Sequence, residues 1–288
     1  QAAFVRHRLL LSDADLLSSV TLDEVVRRLD AGEAVLVVAT TVARAQEFYR
    51  AARTRIDPAR VSLLHGRFTG RDRSDKEEQL RSEVGTLTRD VGKPGVLLVA
   101  TQVVEVSLDV DFDVLMSDPA PIEALLQRFG RVNRGRRGGL RDVVVHTVHA
   151  ESSQFVYAQA SIDATLAVLR PHAGQTVEES AVQGWVDAVY EPIATSWGSE
   201  LERFMEEARR EVIELNQPLD SHPELADKFD ELFDGAEVVP RSLADEYQRL
   251  LRDDPLSATA LRVPISHGQR MQLKKKGLLE RRGKGAGW

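Results

Sequence analysis

Hydrophobic residues occur in short unbroken blocks along the first half of the chain and at helical spacing along the second. AVLVVAT (34–40), VSLLH (61–65), GVLLVAT (95–101), DVLMSD (113–118) and DVVVHTV (142–148) are apolar runs of strand length, rich in valine. Such runs mark strands covered on both faces, as in a parallel sheet. Between them the period changes. Thr21 with Glu24 reads as a capping box opening a helix over 22–30 that stops at Ala31-Gly32. VARAQEFYRAAR sets Val42, Ala45, Tyr49 and Ala52 on one face, and a charged helix is expected over roughly 73–90. Pro121 opens a short helix with Ile122, Leu125, Leu126 and Phe129 at helical spacing. Strands alternating with helices predict a parallel α/β domain over residues 21–150, with helices on both faces of the sheet. Residues 1–20 show no clear period and read as a connector from an upstream region.

Beyond residue 150 strand-like runs fade, and residues 151–288 read as a mostly α-helical region. Thr176 with Glu179 opens a helix whose face is Val182, Trp185, Val186 and Val189. Ser199 with Glu202 opens another, with Leu201, Phe204, Met205, Ala208, Val212 and Leu215 inward. Pro223 heads a third, carrying Leu225, Phe229, Leu232 and Phe233, and a fourth has Leu243, Tyr247, Leu250 and Leu251. These stripes read as core. The end, KKKGLLERRGKGAGW, is basic and glycine-rich, either a solvated tail or a nucleic-acid arm.

Composition narrows the function classes. The 288 residues are 42% hydrophobic and 29% charged, ordinary for a water-soluble globular chain. No apolar run approaches the roughly 20 residues that span a bilayer, so no membrane partner is expected. Without cysteine there are no disulfides or thiolate metal sites, which fits a cytoplasmic location. A net charge of −7 argues against non-specific coating of nucleic acid; any such site is a local basic groove. Starting on Gln rather than Met, the chain reads as a piece of a longer protein.

The polar residues gather where the strands end. Thr40 and Thr41 follow the first run, His65 to Arg73 the second, Thr101 to Asp109 the third, and Arg128 to Arg134 come after the fourth. In open α/β sheets ligands bind beyond the carboxyl ends of the strands. In QRFGRVNR (127–134), Arg128, Arg131 and Arg134 stand three residues apart. Guanidinium is a planar, permanently charged fork suited to phosphate oxygens. Loop N–H groups and hydroxyls suit a nucleic-acid backbone, and a carboxylate suits a ribose. A Glu beside phosphates would repel them, so Glu105 reads as ordering its loop or pairing an arginine. His65 reads as a hydrogen-bonded strand-end residue, and no histidine spacing matches a metal site.

Four segments in order (AVLVVATTVARAQEFY, LLHGRFTGRDR, VLLVATQVVEVSLDVDFDVLMSD and QRFGRVNR) resemble the second RecA-like lobe of superfamily 2 helicases. ATQVVEVSLD and QRFGRVNR resemble the helicase-nuclease of type I CRISPR systems in particular, over roughly residues 21–148. The later helices would correspond to that family's linker and C-terminal accessory region. The resemblance implies that Gln127 and Arg128 open the arginine motif, with Gln where many RNA helicases have His. It places Arg131 and Arg134 as arginine fingers toward the ATP γ-phosphate and Asp109 at the ribose or against the arginine motif. Thr40, Thr41, Gly66, Arg67, Arg73, Thr101 and Gln102 fall on loops that track single-stranded DNA, with Glu105 and Ser107 completing the third loop. For Asp109 a capping role stays open, as does pairing of Arg71 and Arg73 with downstream acids.

Other parts of such a motor are missing from the sequence. There is no G-x-x-x-x-G-K-[ST] loop, no acidic box for magnesium (Pro119 and Ala120 follow Asp118) and no His-Asp nuclease pair. The expectation is half an ATPase, inactive alone, whose ATP and Mg2+ site is completed by a first RecA-like lobe lying with an HD nuclease domain upstream. As the family does, the parent would translocate on single-stranded DNA and help degrade a target opened by an RNA-guided CRISPR surveillance complex. Another superfamily 2 DNA or RNA helicase lobe and a non-enzymatic docking module remain alternatives.

Overall fold

All five valine-rich runs become strands, and two segments with no such run join them. In the computed structural model, which describes residues 5–85, 94–106, 108–136, 139–148, 156–209 and 236–280, the sheet contains β1 (Val5–Ser12), β2 (Val35–Val38), β3 (Val61–Leu64), β4 (Leu97–Ala100), β5 (Val114–Ser117), β6 (Arg141–His146) and β7 (Thr176–Glu178). Their order is β3-β4-β2-β5-β6-β1-β7, parallel throughout except for β7, which runs antiparallel to β1 at the edge. β2, β4 and β5 are buried at every position, which is why β2 and β4 are continuous apolar words and β5 is one as far as Ser117.

The expectation of a connector over residues 1–20 is therefore corrected. Val5–Ser12 pairs residue for residue with β6, from His7 against Arg141 to Ser12 against His146. Its pattern was obscured by arginines whose partners lie far away in sequence. Arg8 pairs with Asp142 at 2.7 Å and Arg6 with Glu179 at 2.8 Å.

The helices follow the predicted order with shifted ends. In α1 (Ser19–Asp30) the cap is Ser18, whose hydroxyl accepts from the Thr21 N–H, not Thr21 itself. Thr21 instead donates to the Asp15 carbonyl, and Glu24 pairs with Arg27 and Arg28. Thr41 caps α2 (Val42–Ala52), and α3 runs over Gly70–Val84, ending before the expected limit. α4 (Ile122–Phe129) starts after Pro121 and buries Ile122, Leu125 and Phe129. α5 (Gln159–Leu169) and the first half of α6 (Glu179–Ala208) add Ile162, Leu166, Leu169, Trp185 and Val189 to the core. Gly95 enters β4 against α1, where a Cβ would stand 2.4 Å from the Leu29 carbonyl oxygen, so only glycine fits.

The contacts divide the chain into two units, Gln1–Gly66 with Lys76–Gly198 and Arg67–Asp75 with Ser199–Trp288. The second unit, within the region read as mostly helical, also holds an antiparallel pair that the sequence did not announce, β8 (Ala236–Val238) and β9 (Val263–Ile265). α7 (Ala244–Asp253), α8 (Pro255–Thr259) and α9 (His267–Lys275) accompany it. Arg262 pairs with Glu237 at 2.9 Å and lies over the Tyr247 ring, while Arg71 pairs with Glu246 at 2.6 Å. Ser199 does not start a helix, because α6 runs through it; Leu201, Phe204 and Met205, expected inward, are each 61% exposed. Val212, Leu215 and the helix expected after Pro223 lie outside the described residues, as do residues 281–288 of the tail.

Two buried histidines are expected to make the first unit sensitive to acid. His7 and His146 both have their pKa pushed below the ordinary 6.5, chiefly by burial. The unfolded chain then binds more protons than the folded one just below 6.5, so stability is complete above that value and declines as pH falls toward the folded-state pKa. The melting temperature is expected to drop between pH 7 and pH 5, and to drop less in a His7→Gln, His146→Gln double variant. An equal drop in both proteins would assign the acid sensitivity to carboxylates instead.

Candidate functional site

Beyond the carboxyl ends of β2, β4 and β5, three loops come together in the first unit and are joined by the Arg128 side chain of α4, while the turn after α4 pairs with the segment before β5. Asp118, the first residue after β5, is buried. Its carboxylate accepts from the Thr40 N–H at 2.9 Å and from Arg44 Nε and a terminal nitrogen at 2.9 and 2.8 Å. A buried carboxylate is stable only when paired in this way. Asp118 thereby ties the loop after β2, and the first turn of α2, to the end of β5. Gln102, in the loop after β4, donates to the Thr40 carbonyl at 2.7 Å.

Arg128 lies on the inward face of α4 and has no exposed surface. Expected beside Gln127 among nucleotide-facing residues, it is instead enclosed by the protein. Its Nε donates to Glu105 at 2.9 Å, one terminal nitrogen to Ser117 Oγ at 2.8 Å and to the Asp118 carbonyl at 3.3 Å, and the other to Tyr157 at 3.0 Å. The sequence reading of Glu105 as an arginine partner is met here, with Glu105 also 2.8 Å from the second terminal nitrogen. Tyr157 has its pKa pushed up, first by burial. Gln127 points the other way and is exposed.

α4 stops at Phe129, and Gly130 begins a turn that changes the direction of the arginines. Arg131, half-buried, donates to two backbone carbonyls, those of Leu108 and Glu105, each at 2.6 Å. Its Nε is buried without a partner. Burial, with the neighbouring Arg134 as the next cause, lowers its pKa, so this cation is held in a place that disfavours charge. Arg134 is 42% exposed and approaches Asp109 at 3.5 Å. Asp111, which sequence reasoning missed, is fully buried and accepts from the Arg134 and Gly135 N–H groups, both at 2.9 Å. Asn133 takes a left-handed conformation, φ 50°, that sets the turn.

The residues expected on the DNA side separate into two groups. Thr40 and Thr101 are buried, with the Thr40 hydroxyl lacking a partner, while Thr41, Gly66 and Gln102 are partly exposed. His65 is buried within 3.4 Å of the Gln46 amide, as a strand-end histidine should be. Arg67 and Arg73 belong to the second unit and are exposed and half-buried respectively; Arg71 has its partner in Glu246 rather than in a nearby acid. Ser107 lies outside the described residues. Among the described residues no group of three or more His, Cys, Asp or Glu could hold a metal ion, and no helix is long and apolar enough to cross a membrane.

A mostly parallel seven-stranded sheet flanked by helices, with acids and arginines beyond its strand ends, defines a RecA-like lobe of the helicase class. More narrowly, the chain resembles the C-terminal region of the CRISPR-associated helicase-nucleases. Residues 31–137 match the family model of the CRISPR-associated nuclease/helicase Cas3, C-terminal. The Cas3 nuclease/helicase of Methanothermobacter thermautotrophicus is 27% identical over 183 residues, 62% of this chain and 21% of that protein. The crystal structure of T. fusca Cas3 with ATP superposes with a TM-score of 0.60 at 29% identity, over 73% of this chain and 27% of that one. A chain of a CRISPR RNA-guided surveillance complex in a pre-nicking state superposes with a TM-score of 0.56 at 30% identity, over 72% and 28%. The chain thus spans about a fifth to a quarter of each of these relatives.

Proposed function

We propose that this chain is the second motor lobe, with its accessory region, of an ATP-dependent single-stranded-DNA translocase that unwinds and helps degrade target DNA in CRISPR interference. One observation carries the reading. Arg131 is a half-buried cation whose guanidinium donates to neutral carbonyls of the segment between β4 and β5, beside the exposed Arg134. A guanidinium so placed gains most from an incoming phosphate, and carbonyl partners are released more easily than a carboxylate.

ATP and its Mg2+ would be held by the phosphate loop and acids of a first RecA-like lobe. Closure of the two lobes would bring Arg131 and Arg134 onto the γ-phosphate, where they stabilise charge in the transition state. Asp109, at the rim beside Arg134, would take the ribose hydroxyls or hold Arg134 until nucleotide arrives. Gln127 offers an exposed amide to the nucleotide. Arg128, enclosed, acts by positioning: it holds Glu105, and through it the loop whose carbonyls hold Arg131. On the DNA side Thr41, Gly66 and Gln102 of the first unit would meet the backbone, supported from beneath by Thr40 and Thr101; Arg67 and Arg73, in the second unit, would make sequence-blind phosphate contacts of their own. The T. fusca structure solved with ATP and the surveillance-complex structure support the nucleotide and the RNA-guided partner as properties of the parent protein, which would also carry an HD nuclease domain.

The test is ATP hydrolysis by this chain alone and by the parent protein, each with and without single-stranded DNA. The expected result is no turnover alone and DNA-stimulated turnover in the parent, with DNA affinity falling as salt rises. Turnover by the isolated chain would overturn the half-motor reading; a parent that binds its complex but never hydrolyses ATP would favour a docking module.

A further inference from the structure

We propose that His7, on β1, is a positioning residue for the arginine-bearing turn, an inference that rests on Arg131 and Arg134 being the residues that meet ATP. The His7 ring is 5% exposed and its Nε2 lies 2.7 Å from the Val132 carbonyl oxygen. A carbonyl can only accept, so Nε2 carries the proton and donates. Val132 is the residue between Arg131 and Asn133. The neighbouring Arg6 carbonyl accepts from the Asn133 side chain at 3.3 Å, and the same amide donates to the Gly139 carbonyl at 3.0 Å. Two consecutive residues of β1 therefore grip two consecutive residues of the turn.

From the opposite side the turn is joined to the segment before β5. The Phe112 N–H donates to the Arg131 carbonyl at 2.9 Å, and the Asn133 N–H donates to the Phe112 carbonyl at 3.0 Å. Asp111 holds the next two N–H groups. On the β1 side the turn is held by side chains rather than by backbone pairing, and a cavity borders its first residue, Gly130. A cavity of about 210 Å³ is lined by Arg6, His7, Leu126, Phe129, Gly130 and Val182. Val132 and Asn133 are themselves buried, so on that side core packing and the bonds to His7 and Arg6 fix the turn together. Without the His7 donor the buried Val132 carbonyl loses its partner, and the turn must shift to satisfy it elsewhere. A displacement of about 1 Å at a group that must meet a transferring phosphoryl is enough to cost up to about a hundredfold in rate.

The experiment uses the parent protein, with ATP turnover measured on saturating single-stranded DNA for His7→Phe, His7→Gln, Arg131→Ala and the His7→Phe, Arg131→Ala double variant. Phenylalanine keeps the ring and removes the donor, whereas the glutamine amide reaches about as far as Nε2. The expected result is a drop in kcat of about tenfold or more for His7→Phe, with KM for ATP within about twofold, recovery of most of that loss in His7→Gln, and no further loss in the double variant. Should His7→Phe fail to fold, His7→Asn replaces it, since its shorter amide cannot span to Val132; low turnover there with high turnover in His7→Gln supports the proposal equally. Wild-type turnover in His7→Phe, or equal losses in the Phe and Gln variants, overturns it. Loss of turnover in Arg131→Ala together with full turnover in His7→Phe would sink the His7 proposal alone. Full turnover in Arg131→Ala would sink the finger reading beneath it.

Discussion

Replacing Arg131 with alanine in the parent protein is expected to lower DNA-stimulated ATP turnover at least about a thousandfold, the range that a transition-state arginine supplies. Its guanidinium is already held by the segment between β4 and β5, donating to the Leu108 and Glu105 carbonyls. Those bonds hold the side chain ready without neutralising its charge. Nucleotide affinity should change far less than kcat, because charge accumulates on the transferred phosphoryl only as the bond breaks. Lysine should not rescue the reaction, since a point charge does not reproduce the planar fork. Arg134→Ala should be milder, because Arg134 is exposed and already shares its charge with Asp109. Single-turnover ATP hydrolysis with a separate measurement of nucleotide binding distinguishes these outcomes. A variant that keeps its kcat and loses only affinity would make Arg131 a binding residue and place the catalytic charge elsewhere.

The sequence made the interior strands legible because a parallel strand buried on both faces has to be apolar at every position. β2 and β4 are written that way, and β5 departs from it only at Ser117, which is buried against Arg128. β1 was hidden because Arg6, His7 and Arg8 sit within it, and their partners Glu179, Val132 and Asp142 lie more than a hundred residues further along. No local pattern announces such pairs. β7, three residues long at the sheet edge, carries too little apolar weight to stand out from a helix start. The arginines were legible as a set and not as individuals. Three residues apart, Arg128 and Arg131 would share a helix face, but α4 ends at Phe129 and the turn at Gly130 separates them. One is therefore sealed inside and the other left at the rim. Asp111 was invisible as a site residue because it serves backbone N–H groups, and Asp118 was weighed only for magnesium because its partners, the Thr40 N–H and Arg44, are brought to it only by the fold.

That separation gives Arg128 its own expected result, opposite in kind to that of Arg131. Arg128→Ala should destabilise the first unit by about 3–5 kcal/mol, the cost of breaking a buried ion pair from one side. For a body of this size the melting temperature then falls by roughly 10 °C. The loss follows from what is left behind. Glu105, its side chain only 13% exposed, loses its counter-charge, and Ser117 and Tyr157 lose a donor. Arg128→Lys should recover little, because a single ammonium cannot reach Glu105, Ser117 and Tyr157 together. Replacing both partners, Arg128→Met with Glu105→Leu, should return part of the stability, since a buried pair exchanged for apolar groups of similar volume is often close to neutral. Turnover should nonetheless stay low in that stable double variant, because the loop from Glu105 to Leu108 would no longer be anchored where its carbonyls hold Arg131. A double-mutant cycle in melting temperature, run beside ATP turnover, separates the two effects. If the stable double variant hydrolysed ATP at the wild-type rate, the Arg128–Glu105 pair would be a matter of folding alone. If Arg128→Lys kept its stability and raised KM for ATP, Arg128 would return to the nucleotide-facing set.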